Sequence, residues 1–136
     1  MQSLAKDRIE AVPEHMKQEL LFKLPLPLRI RSYLDFILSD YTIHPKLTVQ
    51  IWKHVIEEQQ LLIPHWELLL NDAQSRQELK PDISVETWSH IINGLVSYGL
   101  HTFNSVPSKS QLLIKVMALV QESLEAIIEK KGDIPV

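Results

Sequence analysis

The chain has 136 residues, of which 45% are hydrophobic and 23% are charged, and its formal net charge is −3 at pH 7. A chain of this length favours one domain, and a weakly acidic balance argues against sequence-independent binding to nucleic acid, which needs a basic surface. Without any cysteine the chain holds no disulfide and no thiol nucleophile. No apolar run reaches the ~20 residues of a membrane span. We therefore expect a single cytoplasmic domain over residues 1–136 with no membrane contact.

Helices are predicted along the whole chain, because glycine is scarce and no stretch alternates polar and apolar residues as a strand would. Residues 3–23 form a first amphipathic segment, in which Pro13 predicts a kink. The stiff connector 24–27 leads into a helix from Pro27 to about Ile43. The side chains expected to be buried on that helix are Ile30, Tyr33, Leu34, Ile37, Leu38 and Tyr41.

Prolines and polar segments also separate the later helices. The next two helices are predicted at about 45–60 and 64–76, each starting at a proline. The polar segment 77–84 is a predicted loop, and two more helices occupy most of residues 84–131, joined by a loop at 104–108. The sequence therefore predicts an all-α bundle of about six helices.

The last two helices carry apolar faces that look too wide for one small core. Plotted at ~100° per residue, each face fills an arc of about 160–180°, against the ~100° stripe that a surface helix needs. Half of such a face can pack within its own domain, and the other half needs a second chain. We therefore predict an antiparallel helical hairpin that forms a homodimer. The predicted interface residues are Val96, Leu100, Leu113, Met117, Val120 and Leu124.

Large aromatic side chains fall on several different predicted helices and would converge in one bundle. Two interpretations stay open at this point. The aromatic residues either fill a core or line a cavity for an apolar ligand, as they do between the helices of many binding proteins. For the second interpretation, the predicted pocket residues are Tyr33, Phe36, Trp52, Val55, Trp66, Trp88 and Ile92.

The histidines and carboxylates give no recognisable catalytic or metal-binding motif. No glutamate is followed by histidine at the i+3 spacing of di-iron bundles, and His-Glu-x-x-His, Gly-x-Ser-x-Gly and phosphate-binding glycine loops are absent. The pairs Glu86–His90 and His54–Glu58 have i,i+4 spacing, which is typical of surface hydrogen bonds. We predict no catalytic residue, no metal and no cofactor. A helical enzyme or metalloprotein would have to use Glu86, His90 and His54.

Three stretches follow one another in a characteristic order. Residues 28–58 (LRIRSYLDFILSDYTIHPKLTVQIWKHVIEE) give a helix that opens with Leu-Arg, a His-Pro-x-Leu break and a second helix that ends in glutamates. Residues 88–103 (WSHIINGLVSYGLHTF) contain an Ile-x-x-Gly-Leu pattern, and residues 108–128 form the last helix. In these stretches the chain resembles the middle and C-terminal part of TetR-type transcriptional regulators.

The resemblance implies a ligand-sensing and dimerisation domain, which would bind a small apolar or aromatic effector in the bundle and pair through its last two helices. Residues 3–23 are similar to the helix that joins the DNA-binding head to the regulatory body in that family. No helix-turn-helix precedes Leu24, so we expect no direct nucleic acid contact from this chain, and DNA would be reached through a separate N-terminal domain. The alternative is a ligand-free helical adaptor that binds another protein through its wide apolar helix faces.

Overall fold

The computed structural model describes residues 24–39, 45–103 and 105–129. Every regular secondary-structure element assigned in these residues is a helix. The all-α prediction is therefore confirmed for this part of the chain. The predicted segment 3–23, with its kink at Pro13, lies outside the described residues, as does Tyr41. The elements are α1 (Leu26–Ile37), α2 (Pro45–Lys53), the π-helix π1 (His54–Glu58), α3 (Ile63–Ser75), α4 (Val85–Thr102) and α5 (Lys109–Leu124).

Four helices begin at residues that favour a helix start. Prolines lie in the first turn of α1 and α3. The N–H groups of a first turn have no acceptor within the helix, so proline loses no hydrogen bond there. Ser84 Oγ accepts a hydrogen bond from the N–H of Thr87 (3.1 Å) at the start of α4. Ser108 Oγ accepts from the N–H of Gln111 (3.2 Å) at the start of α5. These serines satisfy backbone donors that a helix start otherwise leaves unpaired.

Helix α1 is shorter than the sequence predicts. It ends at Ile37 rather than near Ile43, and Leu38 closes it by donating its N–H to Leu34 O (3.0 Å). The prediction was wrong at this end because no glycine or proline lies between Ile37 and His44 to mark a stop. Leu38 is itself fully buried, which anchors the chain against the core where the helix stops.

The hydrophobic core lies between α1, α3, α4 and α5. Helix α4 is central, since it packs against α2, π1, α3 and α5, while α1 packs against α3 and α5. Gly99 lets α4 approach α5 closely, because a Cβ on that residue would lie 3.0 Å from Val116 Cγ2. No helix in the described ranges is long and apolar enough to cross a membrane. Fully buried core side chains include Leu26, Ile30, Leu34, Ile37, Leu70, Ala73, Val96, Leu100, Leu112, Val116, Val120 and Leu124.

Two helices end next to a residue with left-handed backbone, and neither residue is glycine. Gln60 (φ 53°) follows π1, and Gln77 (φ 65°) follows α3. Around Gln77, the N–H of Glu78 bonds to Ala73 O (2.9 Å) and the N–H of Gln77 bonds to Gln74 O (3.0 Å), which is the paired pattern of a Schellman motif. A left-handed backbone strains a residue that carries a side chain by about 1–2 kcal/mol.

Glycine at position 60 is expected to stabilise the fold. Gln60→Gly relieves the left-handed strain, so the free energy of unfolding should rise by about 0.5–1 kcal/mol after the extra flexibility of the unfolded chain is subtracted. The matched control is Gln59→Gly. Because Gln59 has a right-handed backbone (φ −88°), the same change there should lower that free energy by about 0.5–1 kcal/mol. Urea unfolding measures both signs, and equal destabilisation by the two variants would contradict the left-handed conformation of Gln60.

Candidate functional site

Two aromatic side chains of the predicted pocket meet between α1 and α3. Tyr33 and Trp66 are fully buried, with ring centroids 4.9 Å apart and ring planes at 63°. His65 also contacts Tyr33, with ring centroids 5.6 Å apart. Tyr33 lies on the buried face of α1 and Trp66 on that of α3, so the packing of the two helices brings the rings together. We call Tyr33, His65 and Trp66 the aromatic cluster.

A buried amide connects the aromatic cluster to α4 and π1. Asn93 Oδ1 accepts a hydrogen bond from Trp66 Nε1 (3.1 Å), and Asn93 Nδ2 donates to Ile56 O (3.0 Å). One side chain on α4 therefore satisfies a buried donor from α3 and a buried acceptor from π1. Asn93 was not predicted, although an amide on the apolar face of α4, three residues before Val96, was the available signal.

The hydroxyl group of Tyr33 is buried and has no hydrogen-bond partner among the described residues. Burial raises the pKa of Tyr33, so the phenol keeps its proton and remains a donor at neutral pH. A buried hydroxyl without a partner destabilises a fold by about 1–3 kcal/mol. This group is therefore an unusual feature in an otherwise well-packed core.

One turn before Tyr33, the buried side chain of Arg29 reaches α3. Arg29 Nη1 lies 2.7 Å from Asp72 Oδ2, and Arg76 Nε lies 3.5 Å from the same oxygen. The Nε–H of Arg29 is buried without a hydrogen-bond partner in the described part of the chain. The ion pair neutralises the buried guanidinium, because an unpaired charge in a protein interior is strongly destabilising.

The start of α1 is held by two charged side chains that follow α3. Arg76 Nη2 donates to Leu24 O (3.0 Å), and the N–H of Leu26 donates to Glu78 Oε2 (2.9 Å). Arg76 and Glu78 also form an ion pair with each other. We call Arg76 and Glu78 the α1 clasp. It fixes the point at which the chain enters the described bundle.

The same short segment also binds the far end of the described chain. The N–H of Glu129 donates to Glu78 O (2.7 Å), and the N–H of Lys80 donates to Ile127 O (2.8 Å). Leu79 and Ile128 form the single antiparallel β-bridge between these two stretches. Residues 78–80 therefore join the start of α1 to the segment that follows α5.

The remaining predicted pocket residues lie in or beside the same core. Trp52, Val55 and Ile92 are buried, whereas Phe36 and Trp88 are partly buried and pack against the core. The described contacts bring Tyr33 and Trp66 together, and Asn93 extends that pair towards α4 and π1.

A groove of about 330 Å³ lies between α1 and the N-terminal part of α5. Lys109 Nζ and Asp35 Oδ1 form an ion pair across the same two helices, 2.9 Å apart. None of the predicted pocket residues lines this groove. Its lining residues are Leu24, Leu28, Arg31, Ser32, Asp35, Ser110 and Leu113.

The histidine pairs that could have supplied metal ligands lie on the surface. His54 Nδ1 is 2.7 Å from Glu58 Oε2, and both side chains are at least partly exposed. Glu86 and His90 are exposed on α4. Within the described ranges, no three side chains of the types His, Cys, Asp and Glu come together in a way that could hold a metal ion.

The side chains predicted to form the dimer interface are buried within the chain itself. They therefore leave almost no surface for a second copy to contact. The large apolar side chains exposed on the same two helices are Ile91 (37% exposed) and Tyr98 (58%) on α4 and Ile114 (62%) on α5. The buried residues are Val96, Leu100, Leu113, Met117, Val120 and Leu124.

No protein-family model matches this chain, and neither a curated protein nor a solved structure matches it. The fold class and the contacts described above therefore stand on the structure alone.

Proposed function

We propose that this chain is a ligand-sensing and dimerisation domain, similar to the C-terminal part of TetR-type transcriptional regulators. In this proposal a small apolar or aromatic molecule binds in the helical bundle, and α4 and α5 form an antiparallel hairpin that pairs with a second copy. The observation that carries the proposal is an exposed apolar stripe on α4. Ile91, Leu95 and Tyr98 repeat at i, i+4 and i+7, so they lie on one face, and Ile91 and Tyr98 are exposed. We call this face the α4 stripe.

A glycine beside the α4 stripe supports close contact with a second helix. Glycine inside a helix is less favourable than alanine by about 1 kcal/mol. At Gly94 a Cβ would meet no atom within 4 Å, so nothing in the described chain requires a glycine there. Gly99, by contrast, is needed for the approach of Val116. A partner helix lying against Gly94 would give this residue a role, since its backbone could come close.

The charges on α5 fit a second copy of the same helix. Lys115 and Glu122 are exposed and lie seven residues apart, on one side of α5. If two copies of α5 ran antiparallel about a two-fold axis near Ala118, each Lys115 would lie opposite Glu122 of the second copy. The small exposed side chain of Ala118 would leave room at the axis. In that arrangement the two α5 surfaces would be complementary in charge.

Dimerisation is tested by charging the α4 stripe. Native mass spectrometry of the purified chain is expected to show a homodimer, and Ile91→Lys is expected to give a folded monomer, because it places a charge at a dry interface. The matched control is Leu68→Lys, which charges an apolar residue of α3 that is 53% exposed. Leu68→Lys should remain a dimer. A monomeric parent chain, or an Ile91→Lys variant that remains fully dimeric, would refute this interface.

The proposed mechanism of sensing is a shift between two arrangements of the bundle. A ligand between the helices would favour one arrangement, and the shift would pass to the chain that precedes α1. The α1 clasp supports this route, since Arg76 and Glu78 bind the backbone on both sides of Pro25. A displacement of α1 relative to α3 would therefore change the direction of the chain at Leu24.

A ligand-free helical adaptor remains the second candidate, and one observation favours it. The side chains of Tyr33, Trp66 and Asn93 pack and hydrogen-bond with one another, as in a filled core. An adaptor would be a monomer when purified alone, and its tryptophan emission would not respond saturably to apolar small molecules. The homodimer and the saturable response expected from the first proposal therefore separate the two.

A further inference from the structure

Apart from Arg29 Nη1, which forms the ion pair with Asp72, two buried hydrogen-bond donors on α1 have no acceptor among the described residues. They are the hydroxyl of Tyr33 and the Nε–H of Arg29. Because these residues are four apart on one helix, both side chains lie on the face of α1 that packs against α3. An unsatisfied donor in a core is rare, and two on one helix face call for an explanation.

We propose that the α1–α3 interface at Tyr33 binds a neutral aromatic molecule that carries a carbonyl group, with the carbonyl oxygen accepting a hydrogen bond from the Tyr33 hydroxyl. This inference rests on the proposed ligand-sensing function and names the chemical class of the ligand. The carbonyl oxygen supplies the acceptor that the Tyr33 hydroxyl lacks, and the Nε–H of Arg29 is a second donor on the same face.

The charges around the site favour a neutral ligand over an anion. Asp72 already neutralises Arg29, at 2.7 Å. His65 contacts Tyr33, and burial lowers the pKa of His65, so this imidazole is uncharged at neutral pH. A carboxylate ligand would bring a buried negative charge, and the described contacts of Tyr33 and Arg29 offer no unpaired positive charge to balance it. A ketone or an amide brings an acceptor without that penalty.

The aromatic preference follows from the side chains that surround the hydroxyl. The rings of Trp66 and His65 both lie against Tyr33, at centroid distances of 4.9 and 5.6 Å. A flat ligand can stack or meet these rings edge to face, which adds to the energy of burying its surface. Its entry would part α1 from α3 beside the Arg29–Asp72 pair, so binding would act on the helix that the α1 clasp holds.

The test compares two probes of similar size that differ in the carbonyl group. Titration of the full chain with 2-acetylnaphthalene and with 2-ethylnaphthalene is followed by tryptophan emission, because Trp66 lies against Tyr33. We expect 2-acetylnaphthalene to bind about tenfold more tightly than 2-ethylnaphthalene, because its carbonyl satisfies the buried Tyr33 hydroxyl. We expect 2-naphthoate, the anionic counterpart, to bind more weakly than 2-acetylnaphthalene at pH 7.

The variant Tyr33→Phe removes the hydroxyl and leaves the ring. It is expected to abolish the tenfold preference for 2-acetylnaphthalene. The melting temperature should stay equal or rise, because the removed hydroxyl has no hydrogen-bond partner among the described residues. The control Ser75→Ala removes an exposed hydroxyl from α3, which bonds only within its own helix, and should leave the preference intact.

The outcomes separate this inference from the proposed function. If both naphthalenes bind equally and Tyr33→Phe changes neither affinity, the carbonyl site is wrong while ligand sensing stands. If none of the three probes alters tryptophan emission saturably, the carbonyl site is also wrong. If, in addition, the parent chain is a monomer, the proposed function is wrong as well.

Discussion

Asn93→Leu is expected to lower the free energy of unfolding by about 3 kcal/mol, the largest effect of any single change described for this chain. Leucine fills a similar volume but leaves two buried polar groups without partners, Trp66 Nε1 and the carbonyl oxygen of Ile56. Each orphaned group destabilises the fold by about 1–3 kcal/mol. Chemical unfolding followed by tryptophan emission measures the change, and the emission itself should shift because Trp66 loses its acceptor.

The matched control for this prediction is Asn71→Leu, at an exposed position of α3. It should change the free energy of unfolding by less than about 0.5 kcal/mol, as surface substitutions do. Asn93→Asp gives a second comparison, since it keeps an acceptor for Trp66 and loses the donor for Ile56. An Asn93→Leu variant as stable as the parent chain would mean that the amide does not bridge α3 and π1.

Asp72→Ala is expected to destabilise the fold by about 2–3 kcal/mol, because it leaves the buried guanidinium of Arg29 without its counter-charge. Breaking a fully buried ion pair typically destabilises a protein by about 3–5 kcal/mol. We expect a smaller loss here because the Asp72 side chain is 32% exposed. The double variant Arg29→Met/Asp72→Ala should regain most of the lost stability, because no unpaired charge remains. A double-mutant cycle by urea unfolding measures the coupling.

A surface ion pair of the same chemistry provides the control. Asp35 and Lys109 form a pair in which the Asp35 side chain is mostly exposed. Asp35→Ala should therefore cost no more than about 1 kcal/mol. If Asp35→Ala and Asp72→Ala had equal effects, or if the double variant were less stable than Asp72→Ala, burial of Arg29 would not be the cause.

Helical periodicity in the sequence was enough to predict an all-α fold, but it could not show what covers each apolar face. The wide face of α4 was assigned half to a second chain. In the structure α4 contacts α2, π1, α3 and α5, so a central helix uses a wide face within one chain. Conversely, Ile91 on the same helix is exposed. A helical wheel gives the width of a face and not the number of its neighbours.

The candidate site was predictable in its aromatic residues and not in its polar ones. Tyr33 and Trp66 stand out as large side chains on amphipathic helices. Asn93 has a role only because it accepts a hydrogen bond from Trp66, which is 27 residues away in the sequence. Glu78 likewise accepts one from the backbone of Leu26, which is 52 residues away. The sequence also gives no sign of the π-helix that presents the Ile56 carbonyl, or of the left-handed backbone at Gln60. Neither feature contains a glycine or a proline. Such contacts depend on the tertiary arrangement, which no local pattern records.

The segment 78–80 gives the fold a particular topology. Leu24 and Glu129, the first and last described residues, are both bound by the short stretch that follows α3, Leu24 through Arg76 and Glu129 through Glu78. Both ends of the described bundle therefore emerge at one pole, although 104 residues of chain run between them. The loop after α3 is thus a common anchor for both ends of the described bundle, through which a displacement at Leu24 can reach Glu129 without crossing the core.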